Sequence, residues 1–347
     1  MYAWFVLQQF ASRFTFHNLP FSPKYTVSMA HSQALENYLK GFKSRDIAWP
    51  SVAIPELGLD WWRILCLDQS LEVIWLKLCL ALPQLRLPQI SGISKTTLYR
   101  NTVLRRDLTL SLELLTADQI LHSPQNLRLW VADHPFGAAP VLATTNYQDF
   151  IWLVRALAHR GEPIEPQHGV HAQAVRGLIH WGLIDLHGAD IRASLILLHD
   201  APYGSVEANE LPINLNKNEW IKASTILRLE HELTHLSTMR ILGEMRLNLL
   251  DELVADTMGQ LIALGKFSSQ IFIKCLEIRK SIYTTELSRC DAEYVLLLLS
   301  ERADELESVL RSQTILSTEF CRQMLLPWLC QQRLSKPITK APGWLPM

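Results

Sequence analysis

The sequence has no Cys-x-x-Cys pair, no long apolar run and no excess of one charge, and each absence removes a class of protein. Its six cysteines, Cys66, Cys79, Cys275, Cys290, Cys321 and Cys330, are widely spaced, and several fall inside apolar helical patterns. Buried thiols in a reducing compartment fit that distribution better than a disulfide scaffold. Apolar stretches such as 71–82 and 294–299 fall well short of the roughly 20 residues that a spanning helix needs, so no membrane insertion is expected. Lys and Arg number 33 against 34 Asp and Glu, a formal net charge of -1, which offers no general attraction for nucleic acid or anionic lipid. The opening MYAWFVLQQFASRF has no basic residue ahead of its apolar stretch, and Gln8 and Gln9 interrupt it, so it makes a poor secretion signal. A cytoplasmic location is expected. No acidic residue precedes Glu36, and Met29 opens a more ordinary amphipathic run, which makes Met29 a second candidate for the first residue. There is no GxSxG elbow, no P-loop and no GxGxxG turn.

What is present is a chain of 347 residues, 48% hydrophobic and 19% charged, long enough for one large domain or two closely packed ones. Residues 1–115 alternate helices, over 30–42 and 68–82, with connections punctuated by Pro50, Pro55, Pro83 and Pro88. Residues 116–216 are mixed. LRLWVAD and PVLATT read as short strands, NYQDFIWLVRALAHRG as a helix stopped by Gly161 and Pro163, and VHAQAVRGLIHW as a second helix. ASLILLHD, Ala193 to Asp200, is the strongest strand candidate, ended by the turn-prone APYGS. Residues 217–335 are helical, with segments near 218–242, 246–264, 268–280, 290–312 and 317–334 and breaks at Gly243 and Gly265. The expected fold is α+β and predominantly helical, with a small mixed sheet.

The chemistry lies at the start of the last region. LRLEHELTHLST places His231, Glu232 and His235 inside an apolar-periodic run. At 3.6 residues per turn the two histidines share one helix face, so both imidazoles reach one ion, while Glu232 is rotated by roughly 100° and sits beside it. A catalytic zinc takes three protein ligands and keeps one position open, so a third ligand is needed nearby. LNLLDELVADTMGQL supplies Glu252 and Asp256, again one turn apart. If the chain reverses at Gly243 and Glu244, Glu252 comes level with His235 and Asp256 with His231. Glu252 is then the third ligand, and Asp256 accepts the remaining N–H of a histidine.

At these residues the sequence resembles the gluzincin metallopeptidases, thermolysin-like enzymes whose signature is HExxH followed by ExxxD on the next core helix. Here it reads HELTH and ELVAD, and the latter is similar to the E-x-x-A-D form found in membrane-associated relatives of the CAAX-processing proteases. The longer pattern, HELTHLSTMR followed by RLNLLDELVAD, is similar to uncharacterised bacterial proteins. The 16 residues between His235 and Glu252 are fewer than in thermolysin, and no transmembrane helix matches the membrane relatives. The resemblance implies a zincin-like helical hairpin, one zinc ion on His231, His235 and Glu252, Glu232 as general base and Asp256 behind a ligand. The implied substrate is a peptide or protein, attacked by a water that zinc acidifies and Glu232 deprotonates. It also implies an edge strand holding extended substrate near the motif helix, for which ASLILLHD is suitably placed. His199, Tyr203, Tyr283 and Tyr294 are candidates to stabilise the oxyanion, and the sequence does not choose among them.

Competing sites are weaker. Glu232 and His235 also form the ExxH pair of di-iron bundles, but the clearest second pair, Glu165 and His168, contains Pro166. GISKTTLYRNTVLRR, residues 92–106, looks like a recognition helix with Lys95, Arg100, Arg105 and Arg106 towards phosphate, yet Pro83 and Pro88 interrupt the helix that should support it, and an ordinary solvated helix is the better reading. His168, His171 and His180 specify no site by their spacing. The alternative function is an interaction or regulatory protein that keeps a zincin-like scaffold without catalysis.

Overall fold

A computed structural model describes residues 32–42, 57–67, 70–107, 121–166, 169–246, 248–311, 317–339 and 343. Met29, His168 and the expected boundary near residue 115 lie outside them. The fold is α+β. Its sheet has four strands, β1 Arg128–Ala132, β2 Ala139–Thr144, β3 Ala172–Leu178 and β4 Ala193–His199, in the order β1-β2-β4-β3. β1 and β2 are antiparallel, β2 and β4 parallel, and β3 and β4 antiparallel. The helices are α1 Gln33–Leu39, α2 Leu59–Leu65, α3 Leu71–Ala81, α4 Tyr147–Leu157, α5 Trp181–His187, α6 Lys217–Leu242, α7 Leu249–Leu264, α8 Ser269–Leu276 and α9 Arg289–Arg311, followed by a helical run from Thr318 to Leu329.

Alternation along the strands divides the sheet into two apolar faces. Leu142, Val175, Leu195 and Leu197 pack on Phe150, Leu153 and Val154 of α4, with Trp62, Leu65 and Leu78 beyond. Val141, Ala143, Ile196 and Leu198 face Leu229, Leu233 and Leu236 of α6, which therefore lies across the sheet. A separate core joins α7, α8, α9 and the last helical run, and Leu35 and Phe42 enter it. The described pieces of the amino-terminal third thus divide between two cores, α1 in the carboxy-terminal one and α2 and α3 on the sheet.

Helix boundaries follow from local chemistry. Asn216 and Glu219 form a reciprocal cap at the start of α6, and Gly243, at φ +73°, ends it. Asn248 caps α7 by accepting from the Asp251 N–H, and Gly265 ends it. Between the two helices Gly259 permits close approach, since a Cβ there would lie 2.7 Å from the Leu227 carbonyl oxygen.

Three expectations are corrected. VHAQAVRGLIHW is mostly strand β3, not helix: alanine favours helix locally, but pairing with β4 overrides it, and Gly177, at φ +72°, adopts a conformation that suits a bulge. ASLILLHD is an inner strand, bonded to β2 on one side and β3 on the other, so it has no free edge for a substrate. Its nearly continuous apolar run is what burial on both faces demands. The open edge beside α6 belongs to β3. Residues 92–106 form short turns over Ile93–Lys95 and Thr97–Tyr99 and a wider turn over Arg100–Leu104, with Ile93, Thr102 and Val103 buried, instead of a regular helix. Arg106 there pairs with Asp185 at 2.7 Å. Among the described residues no helix is long and apolar enough to cross a membrane.

Candidate metal centre

α6 and α7 run in opposite directions along one another, and their contact brings the motif residues together. His231 Nε2 and His235 Nε2 are 3.0 Å apart. Glu252 from α7 approaches both, with Oε1 3.4 Å from His235 Nε2 and Oε2 3.6 Å from His231 Nε2. All three residues are buried, and one ligand atom from each lies within 4.8 Å of the others. Four-coordinate zinc with bonds of about 2.0–2.2 Å separates neighbouring ligand atoms by about 3.3–3.6 Å, so the donor set and its spacing fit a single ion.

The other ring nitrogens are fixed from behind. Asp256 Oδ1 lies 2.9 Å from His231 Nδ1, the register expected from the sequence. Asp251 Oδ1 lies 3.3 Å from His235 Nδ1. The first contact is a hydrogen bond that orients the His231 ring so that Nε2 faces Glu252, and the second is an ion-pair approach behind the His235 ring. Tyr203 donates its hydroxyl proton to Asp256 and stands 3.1 Å from His231 Nδ1. Burial, and then the Asp256 charge, push the Tyr203 phenol well above its ordinary range, so it remains a donor. Burial pushes the Glu252 carboxyl up, but the His231 and His235 imidazoles outweigh it and hold the group at about 2. For His235, burial pulls the imidazolium down, and Asp251 and Glu252 outweigh it and raise it well above the usual value.

Charge balance favours a cation. Asp251, Glu252 and Asp256 are each at most 3% exposed. Glu252 Oε2 has no hydrogen-bond donor among the described residues. Burial pulls the Arg279 guanidinium down, and Tyr203, Tyr283, Glu252 and Asp256 around it outweigh that and raise it. With its proton, the His235 imidazolium joins Arg279 in answering two of the three buried carboxylates, and a divalent ion in place of that proton would answer the third as well.

Glu232 occupies the side of α6 that meets β3. Its Oε2 accepts the Ala174 N–H at 3.1 Å. His199 N–H donates to the His171 carbonyl, so the alternation of an antiparallel ladder turns the backbone groups of Ala172 and Ala174 towards the open edge. The carboxylate is half-exposed while the residues on either side of it are buried.

Of the four oxyanion candidates, Tyr203 lies behind His231, His199 is paired with His171 through Nδ1 atoms 2.9 Å apart, and Tyr294 is exposed on α9. Tyr283 stands beside Glu252, where burial and that charge push its phenol well above the ordinary range. His180 caps α5 by accepting the Leu183 N–H, and Glu165 pairs with Arg155. Sequence reasoning missed Asp251 and Arg279. Asp251 was detectable as the neighbour of Glu252 on the same turn, whereas nothing in LEIRKSIY marks Arg279.

Comparison with known families places the chain in a family of unknown function (DUF7005), which it matches over residues 24–190 and 189–284. The matched span contains His231, His235 and Glu252, the residues of the candidate centre. No curated protein and no solved structure matches the chain.

Proposed function

We propose that this member of the DUF7005 family is a zinc-dependent metallohydrolase that cleaves a peptide or related amide. The observation that carries the reading is the convergence of His231 Nε2, His235 Nε2 and Glu252 within 4.8 Å, with a carboxylate behind each imidazole. A structural zinc has four protein ligands; a three-ligand set, as in catalytic sites, leaves one position open. Zinc bound there supplies a Lewis acid that polarises a carbonyl and brings a water's pKa towards neutrality.

The chain's own residues do the rest. Asp256 and Asp251 hold both imidazoles in the tautomer whose Nε2 lone pair faces the ion. Glu232 accepts a proton from the attacking water at its carboxylate and delivers it to the leaving nitrogen. The Ala174 N–H holds that carboxylate against β3, so the proton acceptor is fixed beside the strand edge along which an extended chain can pair. The resemblance to the gluzincins at HELTH and ELVAD supports the same assignment of roles. α6 and α7 are the zincin-like hairpin of this reading, with the protein acting on a peptide or protein substrate.

The test is Glu232→Gln. Screened against a peptide library, the wild type should cleave a subset, and the variant should lose at least about a hundredfold in rate while keeping its metal. Cleavage that survives the substitution would refute the catalytic role.

A further inference from the structure

The row of residues that docks α6 on the sheet, Leu229, Leu233 and Leu236, continues one turn further to Arg240. Opposite that point the sheet stops being flat. β3 and β4 pair as Ala174 with Ile196 and Val175 with Leu195, but then as Leu178 with Ala193, so Arg176 and Gly177 together oppose Ser194. This bulge opens a cavity of about 480 Å³ lined by Arg176, Gly177, Arg192, Ser194, Leu236 and Arg240. Three of its six lining residues are arginines and none is acidic. Arg192 donates to the carbonyls of Ala189 and Ile191, which are neutral acceptors, and Arg240 donates to those of Phe136 and Gly137. Arg176 and Gly177 are exposed.

The position of the cavity gives it a use. Arg176 is two residues along β3 from Ala174, whose N–H holds Glu232. Two residues of strand span about 7 Å. Arg240 is eight residues along α6 from Glu232, about 12 Å of helix. Extended substrate passing Glu232 along the β3 edge therefore reaches the arginines about two to four residues from the scissile bond.

We propose that this three-arginine cavity is a substrate subsite for an anionic side chain, carboxylate or phosphoryl, of an extended peptide. Guanidinium groups match both anions in geometry and charge, and the Ser194 hydroxyl adds a neutral donor. The inference takes its substrate from the peptidase reading above, but the anion site itself is separately testable.

The binding arm uses the full-length Glu232→Gln chain and fluorescein-labelled extended peptides carrying glutamate, phosphoserine or glutamine at alternating positions, followed by fluorescence anisotropy. At least one acidic series should bind about tenfold more tightly than the glutamine series, and its rank against the other identifies carboxylate or phosphoryl as the preferred anion. Adding Arg176→Glu with Arg192→Glu should erase that advantage, as should Ser194→Asp, which puts a like charge into the cavity while leaving every arginine in place. Equal binding of all three series, or a preference that survives in both folded variants, overturns the proposal. The hydrolysis arm separates the two readings. Acidic peptides that bind through the arginines but are never cleaved by the wild type would retain the anion site and sink the peptidase. Glu232-dependent cleavage with no acidic preference would do the reverse.

Discussion

Arg322→Ala removes the partner of a carboxylate that has no access to water. Glu230 precedes His231 on α6 and is 2% exposed. It accepts from Arg322 Nη2 at 2.6 Å and from Nε at 3.0 Å, and Arg322 also donates to the Asp133 carbonyl at 2.9 Å. His134 Nε2 is 3.8 Å from Glu230, but burial, with the Arg322 and Arg240 charges, holds that imidazole well below its usual range, so it is a neutral neighbour. Truncating one partner of a buried pair costs about 3–5 kcal/mol, because the other charge remains inside. In a chain of this size each kcal/mol moves the melting temperature by roughly 1.4 °C, so Tm should fall by about 4–7 °C. The assay is thermal and urea denaturation of the wild type, Arg322→Ala and the double variant Glu230→Gln with Arg322→Met. The double variant removes both charges and should lie within about 2 kcal/mol of the wild type. A loss below about 1 kcal/mol for Arg322→Ala, or a double variant less stable than the single one, would refute the reasoning. Arg322 lies beyond the family-matched residues, so the result also shows whether the carboxy-terminal run braces the motif helix.

Three further outcomes are expected. Asp256→Asn takes the charge from the acceptor shared by His231 and Tyr203 and should weaken zinc binding about 10–100-fold in competition with a chromophoric chelator; unchanged affinity would remove Asp256 from the site. Gly259→Ala places a methyl 2.7 Å from the Leu227 carbonyl oxygen, and pushing α6 and α7 apart should cost about 1–3 kcal/mol and weaken metal binding together, whereas a stability equal to the wild type would show that the helices have slack. Burial lowers His180 from 6.5 to about 4, so the unfolded chain takes up a proton at a pH where the folded one does not. That stability is complete above about pH 6.5 and is lost as pH falls towards 4, by about 3 kcal/mol, and His180→Asn, which keeps an acceptor for Leu183 N–H, should flatten the decline seen in urea titrations at a series of pH values.

The clustering of His231, His235, Glu252 and Asp256 was legible because it rests on helical geometry alone. Spacings of four on α6 and α7 and a reversal at Gly243 are enough to bring His231 level with Asp256 and His235 level with Glu252, and the distances agree. α4, α6, α7 and α9 were legible for the same reason, since periodicity and capping residues speak locally. β3 was not. Ala172, Gln173 and Ala174 favour helix as an isolated segment, and only the unpaired side of β4, distant in sequence, makes them a strand. That one misreading also hid the open edge of β3, because ASLILLHD reads as a strand without revealing that both its sides are taken. Arg279 and Tyr203 reach the site from outside the two helices, and no spacing rule carries that information.

The central claim is that His231, His235 and Glu252 hold one zinc ion, and metal analysis of the purified chain tests it without knowledge of any substrate. About one zinc per wild-type chain is expected, and none in a folded His231→Ala, His235→Ala double variant. A wild-type chain that remains free of metal after reconstitution with zinc, with its fold intact, would contradict it.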